Sequence, residues 1–226
     1  MTKLQNNSER IRSLCMLVLC PSVLAILFLS VELGIAPGIA AGHPPEYLKG
    51  TCIAVALVSI ILPILSLRNI IVLPRWFLAM VYFDLYMYAT TLCCGMYFTI
   101  SWWGDFSHVI SSVVVTEIIL MALCVMVTYS PAHVTLGSNK GLAISLFIIS
   151  VSFGGIWELI ECSTDLLAGS SYMVYGAAGS LADMTADAIG AGIVAVYAYF
   201  ALKVKEPSEM ISELKIRLKH THHKDQ

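Results

Sequence analysis

Charged residues are scarce in this chain. Asp, Glu, Lys and Arg make up 12% of its 226 residues and hydrophobic residues make up 58%, whereas soluble domains contain about 25% charged and about 45–50% apolar residues. A soluble fold of this composition would expose large apolar patches. The net charge of −2 also lacks the basic excess of a nucleic-acid-binding protein, so no nucleic-acid partner is expected.

Cysteine motifs, internal repeats and low-complexity tracts are also absent. The seven cysteines lie within or at the edge of apolar segments, without the spacing of a metal-binding finger. The sequence therefore predicts small buried thiols rather than a disulfide framework. Cys93 and Cys94 could bind a soft metal, but adjacent side chains on a helix point about 100° apart and converge poorly.

Long apolar segments are what the chain does contain. About 20 apolar residues of helix cross the roughly 30 Å core of a bilayer. Six segments meet that length, at 14–36, 50–67, 76–100, 106–129, 141–163 and 181–203. The sequence therefore predicts an all-α, polytopic membrane helix bundle of about six transmembrane helices.

The basic residues predict the orientation of these helices. Twelve of the 13 Lys and Arg residues lie at the N-terminus, in the second and fourth loops, or in the C-terminal tail, and the exception is Lys49. Loops rich in Lys and Arg stay in the cytoplasm. We therefore expect a multi-pass protein of the cell (cytoplasmic/inner) membrane, in contact with membrane lipids and with both termini cytoplasmic.

Three domains follow from this topology. They are a cytoplasmic N-terminus (1–13), a six-span transmembrane domain (14–203) and a cytoplasmic amphipathic tail (204–226). In the tail, Pro207 and Ser208 are typical of a helix start. Met210, Ile211, Leu214 and Leu218 then recur at helical spacing, so the tail is expected to form a short surface helix.

Acidic residues cluster where the last three spans meet the non-cytoplasmic face. They are Asp105 with His108 in the fourth span, Glu158, Glu161 and Asp165 in the fifth, and Asp183 and Asp187 in the sixth. Spacings of three, four and seven residues place each group on one helix face. No Lys or Arg lies inside a span, and a charge at the bilayer centre costs about 2.5–3.5 kcal/mol. The pattern predicts a shared site in which protons or a bound cation balance the carboxylates.

Oxygen ligands suit Mg, Ca or Mn, and a histidine admits Zn or Fe. We therefore expect a divalent cation, Mg, Mn or Zn, held by Asp105, His108, Glu158, Glu161, Asp183 and Asp187. A structural alternative stays open for Asp105 and Asp183, which could cap helix N-termini. It suits Glu158 and Glu161 less well, since the dipole at a helix C-terminus disfavours carboxylates.

Three motifs carry a family resemblance. "DFSH" opens the fourth span, "WELIE" ends the fifth and "DMTADAIGA" opens the sixth. In this pattern, over residues 76–203, the chain resembles the YjdF-like inner-membrane proteins, a family without an assigned biochemical role. The aspartate and histidine pattern is also similar, more weakly, to the VanZ-like membrane proteins.

The resemblance implies that the six residues of the expected metal site match the family's polar positions. Two positions depart from that pattern. Phe106 stands where the family usually has Lys, and Ser180 stands where a further acid is expected.

Three functions fit these observations. The first is a metal-assisted enzyme acting on a lipid or isoprenoid phosphate, with His108, Glu158 and Glu161 as catalytic residues. The absence of a phosphate-binding Lys or Arg on the outer side weighs against it. The second is a proton- or cation-coupled transporter or channel, for which six spans would require a homo-oligomer. The third is a non-catalytic accessory membrane protein, and the sequence leaves open whether the chain is an enzyme.

Overall fold

The structure is a computed structural model that describes residues 3–129, 137–174, 176–212 and 214–216. In these ranges the chain forms nine helices and two short strands. They are α1 (Lys3–Glu32), α2 (Pro37–Ala40), α3 (Pro45–Leu67), β1 (Ile71–Val72), α4 (Arg75–Cys93), α5 (Met96–Thr99), α6 (Trp103–Tyr129), α7 (Asn139–Ala168), α8 (Gly176–Ala201), α9 (Pro207–Met210) and β2 (Lys215–Ile216). The predicted all-α class of a polytopic membrane protein is confirmed.

Five helices of the described chain, rather than six, are long and apolar enough to cross a membrane: α1, α3, α6, α7 and α8. The predicted third span, 76–100, is interrupted. Its helix α4 ends at Cys93, because Gly95 adopts a left-handed conformation with φ of 71°, and the single turn α5 follows. Arg75 and Asp84 also reduce the hydropathy of α4.

The chain divides into two compact units, and the first contains the residues up to Cys94 together with β2. Its helices α1 and α3 pack together, and α4 packs on α3. Leu24, Val55 and Ala89, one from each of these helices, form a buried core cluster. The Tyr82 hydroxyl donates to the Ser59 carbonyl across the α3–α4 seam at 2.5 Å.

The second unit is Gly95–Ser212. In this unit α6, α7 and α8 pack against one another. The Asn139 side-chain amide donates to the Leu202 carbonyl at 2.8 Å, which places the start of α7 beside the end of α8. The end of α7 and the start of α8 therefore lie together at the opposite end of the pair.

The tail differs from the predicted surface helix. A capping box between Glu206 and Glu209 starts α9, which ends after one turn at Met210. Lys215 and Ile216 then form β2, which pairs antiparallel with β1 in the second loop. The helical spacing of Met210, Ile211 and Leu214 was misleading, because α9 ends at Met210 and the backbone of β2 bonds to β1. Leu218 lies outside the described residues.

Candidate metal centre

Helix α6 contributes the histidine. His108 lies five residues after the start of α6 and is partly buried. The Ser107 hydroxyl donates to the Gly104 carbonyl at 2.7 Å and accepts from the Tyr97 hydroxyl at 3.0 Å. This short network ties the first turn of α6 to α5 and so fixes the backbone from which His108 projects.

Helix α7 contributes a buried acidic stripe. Glu158, Glu161 and Asp165 are 7%, 8% and 6% exposed, although residues 156, 157, 159 and 160 beside them are exposed. The helix continues to Ala168, so Glu161 lies about 10 Å from its end. The sequence placed these acids at the end of the span, whereas Glu158 and Glu161 lie about two or more turns inside the helix and only Asp165 lies in its last turn.

Helix α8 contributes two aspartates on either side of the imidazole. Asp183 Oδ1 lies 3.6 Å from His108 Nε2, and Asp187 Oδ1 lies 3.4 Å from His108 Nδ1. Because α8 begins at Gly176, Asp183 lies about two turns inside the helix. It cannot cap the N-terminus, so the structural alternative fails for this residue.

The structure thus brings five of the six predicted residues together, and we call them the acidic cluster: His108, Glu158, Glu161, Asp183 and Asp187. Asp105 is the sixth. It is exposed in the first turn of α6, where the helix dipole favours a negative charge. For Asp105 the structural alternative therefore suffices.

Close helix packing makes this convergence possible. A Cβ added to Gly154 of α7 would collide with the Asp187 carboxylate of α8. A Cβ added to Gly190 would lie 2.5 Å from the Val109 carbonyl oxygen of α6. The Ser112 hydroxyl of α6 also donates to the main-chain carbonyl of Asp187 at 2.7 Å. Small residues therefore let all three helices approach at the level of the acidic cluster.

Three members of the acidic cluster lie close enough together that they could hold a metal ion. One ligand atom each from His108, Glu158 and Glu161 lies within 4.8 Å of the other two. Ligands about 2.1 Å from one ion are at most about 4.2 Å apart, so small side-chain rotations would complete the coordination. One nitrogen with several carboxylate oxygens suits Zn, Mn or Fe better than Mg or Ca.

Glu158 is the member without a partner. Both of its carboxylate oxygens are buried and have no hydrogen-bond partner among the described residues. A buried ionised carboxylate without a partner is strongly destabilising. Within the same ranges, no Lys or Arg forms an ion pair with the acidic cluster. The acidic cluster thus offers ligand atoms for a cation. No Lys or Arg among the described residues balances the negative charge that its carboxylates carry when they are ionised.

Asp165 has a different role from the other acids of α7. Its carboxylate accepts hydrogen bonds from the Ser170 hydroxyl at 2.6 Å and from the backbone N–H groups of Tyr172, Met173 and Val174 at 2.9–3.1 Å. Asp165 therefore holds the loop between α7 and α8. Its placement in the same stripe as Glu158 is as predicted, but its carboxylate bonds the loop and is not part of the acidic cluster.

Sequence reasoning missed two supporting residues. Gly154 lies inside the apolar part of α7, four residues before Glu158, and Ser112 lies four residues after His108. A spacing of four residues puts Gly154 on the same helix face as Glu158, and Ser112 on the same helix face as His108. That shared face was the available signal, but the sequence does not show which helix either residue touches.

A family model described as "Predicted membrane protein (DUF2238)" matches residues 20–204 of the chain. No curated protein and no solved structure matches this chain.

Proposed function

This chain belongs to the family described as predicted membrane protein (DUF2238), and we propose that it binds one divalent transition-metal cation in its acidic cluster. The observation that carries the proposal is the buried, unpartnered carboxylate of Glu158. It lies beside Glu161 and His108 at ligand spacing. Asp183 is a further ligand on this proposal, and Asp187 orients the imidazole.

Charge balance supports a cation over a purely structural cluster. Four carboxylates surround a single imidazole, so even a protonated His108 would leave three negative charges if all four acids were ionised. Bringing one divalent ion to the cluster removes most of that excess. Protonation of the acids is the competing solution, and it predicts no metal binding.

A metal-assisted reaction on a lipid or isoprenoid phosphate is the activity we propose for this site. His108, Glu161 and Asp183 lie about 8–10 Å from the ends of their helices, a depth that a lipid headgroup region could reach. A bound cation would polarise a phosphoryl oxygen and offset the missing Lys or Arg. Because His108 would bind the cation through Nε2 while Nδ1 faces Asp187, a proton would be carried by the Glu161 carboxylate beside them.

A second candidate, proton- or cation-coupled transport through a homo-oligomer, is favoured by a line of buried hydroxyls. Ser112 and Thr116 of α6 are buried, and Thr116 donates to the Ser112 carbonyl at 2.6 Å. Ser150 of α7 lies two turns deeper than Glu158 on the same face, and its buried hydroxyl has no partner among the described residues. These groups extend the polar path further into the bundle.

The sidedness of the site is part of the proposal. Strands β1 and β2 pair, so the second loop and the C-terminal tail share one side of the membrane. An even number of helices must then cross between them. On this proposal α4 therefore crosses together with α6, α7 and α8, although α4 is not among the five helices that are long and apolar enough by composition. Such a topology keeps both termini cytoplasmic in the cell (cytoplasmic/inner) membrane and places the acidic cluster toward the outer face.

The finer likeness to YjdF-like and VanZ-like proteins belongs to the same proposal. "DFSH", "WELIE" and "DMTADAIGA" hold every member of the acidic cluster. On this proposal the three motifs supply the side chains that surround the cation.

Metal analysis of purified protein tests the proposal. The protein is stripped with a chelator, reloaded separately with Mn²⁺, Zn²⁺ or Mg²⁺, and its metal content is measured by mass spectrometry. The variants are Glu158→Gln and, as a matched control, Glu117→Gln, which alters a half-buried acid of α6 outside the acidic cluster.

We expect about one Mn²⁺ or Zn²⁺ per chain in the wild type and in Glu117→Gln, and at least tenfold weaker binding in Glu158→Gln. At a metal concentration 100 times Kd, binding should stabilise the fold by about 2.7 kcal/mol. Equal binding by all three proteins, or no binding by any, would refute a metal site. Proton flux in liposomes that disappears in Glu158→Gln would then support the transport alternative.

A further inference from the structure

Two cysteines meet inside the first unit, far from the acidic cluster in sequence. The Sγ atoms of Cys52 in α3 and Cys93 in α4 lie 3.8 Å apart, and the residues are 1% and 2% exposed. A disulfide requires a separation of about 2.05 Å. Rotation of the two short side chains can supply the difference.

The helices that carry these cysteines are held together by other contacts. The hydroxyls of Tyr47 and Tyr88 are hydrogen-bonded at 3.1 Å, five residues before each cysteine. The Tyr82 hydroxyl donates to the Ser59 carbonyl further along the seam. The backbones are therefore positioned for the two thiols to face each other in every folded molecule.

Helix α2 packs against the end of α4, beside Cys93. A Cβ added to Gly38 would lie 2.5 Å from the Leu92 carbonyl oxygen and 2.9 Å from that of Cys93, so the backbone of α2 lies directly against the end of α4. Cys94 is the next residue and is exposed. It is therefore an internal control that is adjacent to Cys93 in the sequence but lies in a different environment.

The charge pattern places this pair near the non-cytoplasmic face. Cys52 follows the start of α3 by seven residues and Cys93 is the last residue of α4, so both lie within about 10 Å of those helix ends. Compartments outside the cytoplasm are oxidising enough to form and keep disulfides.

We propose that Cys52 and Cys93 form a disulfide that joins α3 to α4 in the mature protein. The oxidant is the disulfide of a thiol–disulfide oxidoreductase. One cysteine thiolate attacks that disulfide and releases one oxidoreductase thiolate, and the second cysteine thiolate then displaces the other. The chain loses two electrons and two protons, and the oxidoreductase disulfide is reduced to two thiols. The exchange takes place before folding buries the pair.

Thiol counting tests the disulfide independently of the proposed metal site. Cells are quenched in acid, and the whole chain is denatured and alkylated without a reductant. The number of alkylated cysteines is then read by mass spectrometry. Denaturation makes all unpaired thiols reactive, so the count does not depend on whether a variant folds. The variants are Cys52→Ser, Cys93→Ser and the control Cys94→Ser.

We expect five alkylated thiols of the seven in the wild type. Cys52→Ser and Cys93→Ser should each show six, because the surviving partner becomes free, whereas Cys94→Ser should show four. Peptide mapping without reduction should recover the linked Cys52 and Cys93 peptides. Seven alkylated thiols in the wild type would overturn the proposal, and so would four in Cys52→Ser, because that count would mean that the disulfide joins two other cysteines.

Discussion

The Nδ1 atom of His108 lies 3.4 Å from the Oδ1 atom of Asp187. A carboxylate on one nitrogen of a ligating histidine fixes the orientation of the ring and leaves the other nitrogen for the metal. On the proposed metal site, His108 Nε2, which faces Asp183 at 3.6 Å, is the nitrogen left for the cation. The proposal therefore makes Asp187 a positioning residue and Asp183 a ligand.

Asp187→Asn should weaken metal binding about 10–100-fold, the usual effect of removing the partner of a ligating histidine. The stoichiometry at saturating metal should not change, since the proposed ligand atoms remain. Titration with Mn²⁺, followed by electron paramagnetic resonance, measures both quantities. Asp105→Asn, which alters an exposed acid of α6, should bind like the wild type. A loss as large in Asp105→Asn as in Asp187→Asn would contradict this division of roles.

Gly154→Ala should destabilise the fold, because its Cβ would collide with the Asp187 carboxylate. Overpacking of this kind costs about 1–3 kcal/mol, and displacement of Asp187 should weaken metal binding as well. The matched control is Gly155→Ala, whose Cβ would have Met184 Cε as its nearest neighbour at 3.8 Å, an ordinary contact. Thermal unfolding in detergent separates the two variants, and equal melting temperatures would show that α7 and α8 are not closely packed at Gly154.

Asp165→Asn should destabilise the protein through the loop it holds. The carboxylate accepts four hydrogen bonds from Ser170 and residues 172–174, and bonds to charged groups contribute about 1.5–3 kcal/mol each. An amide has only one acceptor oxygen. Ser170→Ala removes one of the four bonds, so its loss should be smaller. Limited proteolysis should cut the loop faster in Asp165→Asn, and an unchanged cleavage rate would argue against the loop contact.

Asn69→Cys and Ser101→Cys should lie on opposite sides of the membrane if α4 crosses it. Its 19 residues span about 28 Å, and the pairing of β1 with β2 requires an even number of crossings after the second loop. In a chain whose native cysteines are replaced by Ser, a membrane-impermeant maleimide added to intact cells should label Ser101→Cys and spare Asn69→Cys. Equal labelling would mean that α4 does not span the bilayer.

Much of the fold was predictable because it depends on local properties of the chain. Apolar length predicted the membrane class, and turn residues located most helix boundaries within a few positions. The errors arose where a nonlocal contact or one glycine decided the outcome. Gly95 interrupts the predicted third span, and pairing with β1 draws Lys215 and Ile216 out of the expected helix.

The sequence by itself determined that Asp105 and His108 share one face of α6, and that the acids of the cluster share one face on α7 and one on α8, since a helix repeats every 3.6 residues. It could not determine what each acid contacts. Only the tertiary structure decided that Asp187 pairs with His108, that Asp165 holds a loop and that Glu158 has no partner. The physical reason is that helical period depends on the backbone alone, whereas partners depend on how closely helices approach, which Gly154 and Gly190 permit.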